Sequence, residues 1–295
     1  MSTTFAAAVA SSSILSGTSL LYATLGELVG ERAGIVNLGL EGVMLIGAAV
    51  GFAATSLAGN PYVGVAAAAL AGSWVNLLLG YIVIARQANQ LAAGLSLLFF
   101  GSGASALIGQ RFVGDVVPPL PRLELPGLGA FDVLVWLALP TALLLWFLIF
   151  RTRWGLALRA VGEDPAAAFA AGRHPGLIQY QALALGGLLA GTGGAHLSVA
   201  LAMTWDEGMT AGRGFIAIAL VIFSKWNPLW AVAGALIFGG ADALQLQLQA
   251  RGTDLSPFLM TMIPYLLTLL VLGLWGWKRQ SAAPAALGRS FFGVE

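Results

Sequence analysis

The sequence predicts an all-α integral membrane protein, and three observations carry that prediction. Hydrophobic residues make up 58% of the 295, and the mean hydropathy is +0.86. Apolar runs of about 20 residues recur along the chain, the length a helix needs to cross a hydrocarbon core. Thirty-nine glycines suit helices that approach closely in lipid through small faces. The net charge of +1 gives no basis for nucleic-acid binding, and the absence of cysteine excludes disulfides, thiolate chemistry and Cys-ligated metal.

About nine spans (eight to ten) follow from the hydropathy pattern: 5–25, 35–57, 62–85, 91–110, 131–150, 177–201, 211–224, 229–248 and 258–277. The first 25 residues hold no Lys or Arg. They lack the charged start of a secretory signal and read as a retained helix. The seventh segment is too short to cross as a regular helix. It reads as broken or re-entrant, a form tolerated only inside protein or against a wet cavity. One polytopic domain, 1–277, with a cytoplasmic insert at 151–175, is followed by a cytoplasmic tail, 278–295.

Orientation follows from the Lys/Arg bias of the connections. With 151–175 in the cytoplasm, ten of the 14 basic residues fall inside, among them Arg32, Arg86, Lys225, Lys278, Arg279 and Arg289. Arg111, Arg122, Arg213 and Arg251 fall outside. The N-terminus is then outside and the C-terminus inside. A shift of 167 residues lays Asn60-Pro61 on Asn227-Pro228 and Gly47 on Gly214. Spans one to four then match spans six to nine in opposite orientation, with span five as connector. Inverted repeats of this kind are a common transporter plan.

Residues 151–175, RTRWGLALRAVGEDPAAAFAAGRHP, concentrate charge. Of the 14 Lys/Arg and 13 Asp/Glu residues, six lie here: Arg151, Arg153, Arg159, Glu163, Asp164 and Arg173. Glu163-Asp164-Pro165 suits a helix start, Ala166 and the alanines after it continue it, Gly172 ends it, and Pro175 precedes the next span. The product is one short amphipathic helix outside the membrane. It either docks on a soluble cytoplasmic partner or lies on lipid headgroups. Its small, Ala-rich face is poor for lipid insertion, which favours docking.

Three polar segments interrupt the apolar pattern. Residues 26–42, GELVGERAGIVNLGLEG, carry Glu27, Glu31, Glu41, Arg32 and Asn37. Charges at membrane depth are costly and face an interior or a cavity. The segment is either a polar gate, with Asn37 and Glu41 as its deepest members, or an Arg32–Glu pair with glycine packing. Asn89 and Gln90 open the fourth span, as cavity amides or as a helix cap. Residues 204–214, TWDEGMTAGRG, precede the short seventh span and mirror the segment near Glu41. Paired Gly-interrupted segments point to a transport route. Asp206 and Glu207 fall at the outer mouth, as a contact for an external partner or as a solvated loop. His174 and His196, the only histidines, make no metal spacing. Asp242 is the deep acid of the eighth span.

Catalytic motifs are missing. The only lysines, Lys225 and Lys278, follow Ser and Trp, so no phosphate-binding GK[ST] exists. There is no GxSxG elbow. The chain is not read as an enzyme.

The runs GELVGERAGIVNLGLEGVMLIGA, TRWGLALRAVGEDPAAAFAAG and GRGFIAIALVIFSKWNPL closely resemble the permease subunits of bacterial ABC importers of the ribose and simple-sugar type, and most of all the nucleoside-uptake branch. The resemblance covers roughly 26–277. It implies a multi-pass protein of the cytoplasmic membrane and a second permease subunit, identical or related. It also implies a cytoplasmic ABC ATPase that holds ATP and Mg, no cofactor in this chain, and an extracytoplasmic substrate-binding protein. The coupling helix of the family falls on Val161 to Ala168, so Arg159, Gly162, Glu163, Asp164, Pro165, Ala168 and Gly172 are expected to couple to the ATPase. Asn37, Glu41, Asn89, Gln90 and Arg213 are expected along the translocation path, and Asp206 and Glu207 at the binding-protein contact. The additional N-terminal span usual in the ribose branch is not found, and the ending Gly172-Arg173-His174-Pro175 is unusual. The expected cargo is a nucleoside or purine-like solute, with a simple sugar as the alternative. An ion- or proton-coupled secondary transporter is the reading from another class. It would need Asp242, or Glu41, as its coupling acid.

Overall fold

In the computed structural model, residues 5–125, 129–250 and 283–289 are described, with isolated positions between 262 and 273. The helices are α1 (Phe5–Arg32), α2 (Leu40–Ala58), α3 (Pro61–Gly80), α4 (Gln90–Gly109), α5 (Val133–Arg151), α6 (Arg153–Glu163), α7 (Pro165–Ala170), α8 (Pro175–Ala195), α9 (Arg213–Phe223) and α10 (Pro228–Ala250). A π-helical turn extends α3 over Tyr81–Ala85, and another extends α8 over His196–Leu201. Among the described residues seven helices are long and apolar enough to cross a membrane, and α9 is a shorter apolar helix. Most of the expected ninth span and of the tail, including Lys278 and Arg279, lies outside the described residues, as do Arg251 and Asp254.

Local signals explain the helix starts. Asn60 Oδ1 accepts from Tyr62 N–H at 3.0 Å ahead of Pro61, and Asn227 Oδ1 accepts from Leu229 N–H at 3.0 Å ahead of Pro228. Each is a side-chain cap followed by a proline whose missing N–H costs nothing in the first turn. One departure from the all-helical expectation is a small antiparallel hairpin of β1 (Arg122–Leu125) and β2 (Gly129–Asp132), pairing Arg122 with Asp132. α1 also runs longer than the expected 5–25 span, continuing to Arg32, so Glu27, Glu31 and Arg32 belong to the first helix.

α1, α2 and α8 form the buried centre, with α3 on α8 and α10 on α1. The α3–α8 contact depends on glycine. A Cβ at Gly187 would run into the Gly72 carbonyl, and one at Gly191 into the Ala68 carbonyl. In lipid this close approach replaces the hydrophobic driving force that water would supply. α4 and α5 lie at the periphery and turn Phe99, Phe100, Leu139 and Phe147 outward.

The hairpin is anchored to the bundle end opposite the 151–175 insert. Asp132 Oδ1 caps α5 through Leu134 N–H (2.9 Å) and Val135 N–H (3.2 Å). Its Oδ2 lies 3.4 Å from His196 Nε2, with both side chains buried. Arg122 donates to the Ala200 carbonyl at 3.1 Å. Burial pushes the Asp132 carboxyl up, but the His196 imidazole and the two backbone N–H groups outweigh it and hold the group below the usual carboxylate range. Asp132→Ala removes both the cap and the buried carboxyl beside His196 and is expected to cost about 2 kcal/mol. Asp132→Asn keeps the cap acceptor. The midpoint of thermal unfolding in detergent should fall less for Asn than for Ala, and equal midpoints would remove the capping contribution.

Candidate functional site

Two polar constellations stand out, one inside the bundle and one at the insert. The first begins where α1 ends. The connection 33–39 turns back along the bundle, starting at Gly34 with φ +89°. Within it, Val36 N–H donates to Gln90 Oε1 (2.9 Å) and Asn37 N–H donates to Glu27 Oε1 (2.8 Å). The Asn37 side chain accepts from Gly39 N–H (2.8 Å) and donates to Asn76 Oδ1 (2.9 Å). Asn76 in turn donates to the Leu183 carbonyl of α8 at 3.2 Å. An irregular backbone inside a membrane protein must be satisfied by protein groups, and these side chains do so.

Glu41, in the first turn of α2, completes the joint. Its Oε1 accepts from Thr210 Oγ1 (2.6 Å) and Gly212 N–H (2.7 Å), and its Oε2 accepts from Gly214 N–H (2.6 Å). Gly212 has φ +80°, a left-handed conformation that glycine takes without strain. A Cβ at Gly214 would collide with the Glu41 backbone. The carboxylate thus sits on the N-terminus of α9, where free N–H groups and the helix dipole favour negative charge.

The 11 residues of α9 span about 16 Å. Beyond its other end, Trp226 donates Nε1–H to Glu31 (2.6 Å) and its carbonyl accepts from Arg32 Nε at 3.0 Å. The start of α9 is therefore well inside the bundle, and Arg213 with it. This corrects the expected outer position of Arg213. A guanidinium at that depth needs a partner, and Arg213 Nη2 pairs with Asp242 Oδ2 at 3.1 Å.

The remaining predicted residues separate. Asn89 is exposed and caps α4 through Ala92 N–H at 3.0 Å. Gln90 is buried, and besides Val36 it reaches the Gly34 and Arg289 carbonyls, each at 3.4 Å. Asp206 and Glu207 are exposed and line a pocket of about 550 Å³ with Gly103, Ala106, Gln110 and Trp205. Glu27, Asn76 and Thr210 were not singled out as site residues. Thr210 lies in the glycine-rich 204–214 segment, and that polar interruption of the apolar pattern is the signal that could have found it.

At the insert, the expected single helix is two. Thr152 caps α6 through Gly155 N–H (3.1 Å), and Asp164 caps α7 through Ala166 and Ala167 N–H (2.9 and 3.0 Å). Asp164 is extended, so α6 ends at Glu163 and α7 starts afresh at Pro165. Gly172 (φ +78°) closes α7 with Gly172 N–H to Phe169 O and Arg173 N–H to Ala168 O, a Schellman ending. The guanidinium groups of Arg159 and Arg32 both lie over the Phe150 ring, at 5.4 and 5.5 Å. A Cβ at Gly162 would strike the Arg32 carbonyl. Arg159, Gly162 and Ala168 therefore face the bundle, whereas Glu163, Asp164 and Gly172 are exposed.

The family description "branched-chain amino acid transport system / permease component" matches residues 9–272. The chain belongs to this permease family. It is 35% identical to a putative glucose ABC transporter permease of Haloferax volcanii, covering 97% of this chain and 98% of the relative. It is 33% identical to the guanosine ABC transporter permease of Bacillus subtilis (91% of both chains). It is 32% identical to the nucleoside ABC transporter permease of Lactococcus lactis (94% of both). No solved structure gives a significant match. The protein is thus a multi-pass permease subunit of an ABC transporter in the cytoplasmic membrane, not an enzyme. As in ABC transporters generally, its partners are an ATPase and a substrate-binding protein.

Glu41→Leu orphans three donors, two of them backbone, and is expected to destabilise the protein by about 3 kcal/mol or more. Glu41→Gln keeps the shape but faces an amide NH₂ toward a donor, at about half that cost. Thermal unfolding in detergent ranks them, and a Leu variant as stable as wild type would show that Glu41 does not hold the joint.

Proposed function

We propose that this chain forms the translocation path of an ATP-driven importer for nucleosides or purine-like solutes. The observation that carries the reading is the end-to-end similarity to permeases of guanosine and nucleoside transporters, over more than 90% of each chain. A simple-sugar cargo is the second reading, favoured by the similarity to the glucose permease. The ion-coupled alternative loses its main support because the Asp242 carboxylate is paired with Arg213.

In this proposal nine spans form an inverted repeat, 1–4 against 6–9, within one polytopic domain over 1–277. The equivalent Asn-Pro caps at α3 and α10 support it, and so does the meeting of Glu41 with the 210–214 segment. Asn37, Glu41, Gln90 and Arg213 shape the wall of the path by fixing its irregular backbone, with Asn89 at the cytoplasmic mouth. Asp206 and Glu207 meet the binding protein. Glu163, Asp164, Pro165 and Gly172 face the ATPase, which holds ATP and Mg, while Arg159, Gly162 and Ala168 seat the insert on the bundle. A second permease subunit, a copy or a relative, completes the path.

The test is a pull-down of the solubilised chain, then uptake of labelled nucleosides and sugars by vesicles of the complex with its binding protein. A co-purifying ATPase and ATP-dependent uptake, with nucleosides out-competing sugars, are expected. Transport by the chain alone down an ion gradient would overturn the reading. Glu163→Arg with Asp164→Arg should abolish ATPase association and uptake while leaving membrane insertion intact. Normal uptake in that variant would remove the two acids from the coupling surface.

A further inference from the structure

The described C-terminal residues 283–289 do not extend into solvent. They fold over the cytoplasmic end of the bundle as a compact turn, with Leu287 N–H to Pro284 O (3.1 Å), Arg289 N–H to Ala286 O (3.0 Å) and Gly288 at φ +75°. Pro284 and Ala286 are buried. Two backbone hydrogen bonds leave this turn in different directions. Ala286 N–H donates to the Gly162 carbonyl at the end of α6 (2.9 Å), and Gly288 N–H donates to the Gly34 carbonyl in the 33–39 connection (3.1 Å). Side chains add two further ties. Glu163 Oε2 accepts from Ala285 N–H at 3.2 Å, and Gln90 Nε2 bridges the Gly34 and Arg289 carbonyls.

We infer that residues 283–289 are a strap that ties the coupling insert to the 33–39 connection, so that displacement of α6 and α7 is passed to Asn37 and Glu41. This rests on the permease reading and adds to it the route by which the two polar constellations communicate. Three residues separate the strap's first tie from its last, whereas the segments it joins, at 162 and 34, are far apart in sequence. From Gly34 only seven residues lead to Glu41. A backbone hydrogen bond weakens steeply once it lengthens or bends, so a short turn bonded at both ends moves with its two partners. The direct contacts between insert and α1 are the approach of Gly162 to the Arg32 carbonyl, the charge attraction of Glu163 for Arg32 and the Phe150 ring beneath two guanidinium groups, and the strap adds directional backbone hydrogen bonds to them. A pocket of about 320 Å³ opens between the strap and the start of α7, lined by Glu163, Asp164, Pro165, Ala285, Ala286 and Arg289.

Two variants and one measurement on the unaltered protein test the strap, all in the complex with ATPase and binding protein. Ala286→Pro deletes the N–H that reaches Gly162, and a chain ending at residue 282 deletes the strap. The expected result is retained ATPase co-purification and ATP hydrolysis with at least a tenfold loss of solute taken up per ATP. A residue that only stabilised the fold would lower uptake and hydrolysis together, so a parallel loss of both overturns the inference, as does an unchanged ratio. Hydrogen exchange of the wild-type complex needs no variant. Peptides covering 283–289 should stay protected with and without ATP, and rapid exchange in either state overturns the strap. Wild-type vesicles are the control for the underlying reading. If they show no ATP-driven uptake, the permease proposal itself fails, whatever the variants do.

Discussion

The bundle depends on one constraint: irregular backbone inside a bilayer must find its hydrogen bonds within the protein. Two segments break the helical pattern at depth, 33–39 before α2 and the glycine-rich stretch before α9. Each leaves N–H groups that lipid cannot satisfy. Gln90, Glu27 and Asn37 satisfy the first segment, and the Glu41 carboxylate, on the helix that follows it, accepts three hydrogen bonds from the second and so ties the two together. Charge-assisted bonds of this kind contribute roughly 1.5–3 kcal/mol each. The cost of burying the carboxylate is offset by the N-terminal end of α9.

The neighbouring charges follow the same rule. Arg213 stands one residue from two of the Glu41 contacts and is neutralised by Asp242 of α10. Glu27 holds the Asn37 N–H, and Glu31 holds the Trp226 indole. Glu27, Glu31, Glu41 and Arg213 each have a partner on another segment of the chain. The polar residues thereby join α1, α2, α3, α9 and α10, while glycine faces join α3 to α8. In the proposed permease path the broken segments are held as units by these bonds, and the inferred tie from the insert to Gly34 would act on them as a unit.

The insert itself is built for that role. Its two short helices are separately capped, by Thr152 and Asp164, and hinge at one extended residue. One face seats against Arg32 and Phe150, and the other leaves Glu163 and Asp164 exposed. A single continuous helix could not put Gly162 against α1 and the α7 face outward at the same time.

Much was legible in the sequence, because the signals were local. Hydropathy runs located the seven long apolar helices, all but α1 to within about five residues at each end, the shortness of α9 was evident from its length, and Asn-Pro and Asp-Pro pairs marked helix starts by the capping they perform. The missing lysine motifs excluded an ATP site of its own, and the resemblance of three sequence runs to the permease family implied a permease subunit. The end of α1, the hairpin and the division of the insert were not legible, since continuing or breaking a helix there depends on what it packs against. The partners of the polar residues were equally hidden. Glu41 meets residues 169 to 173 positions away, Arg213 meets Asp242, and Gln90 meets Gly34 and Arg289. No periodicity encodes such pairs. The sequence determined which groups must be satisfied in the membrane, and only the tertiary structure decided which groups satisfy them, because a buried hydrogen bond is a property of two segments brought together by the fold.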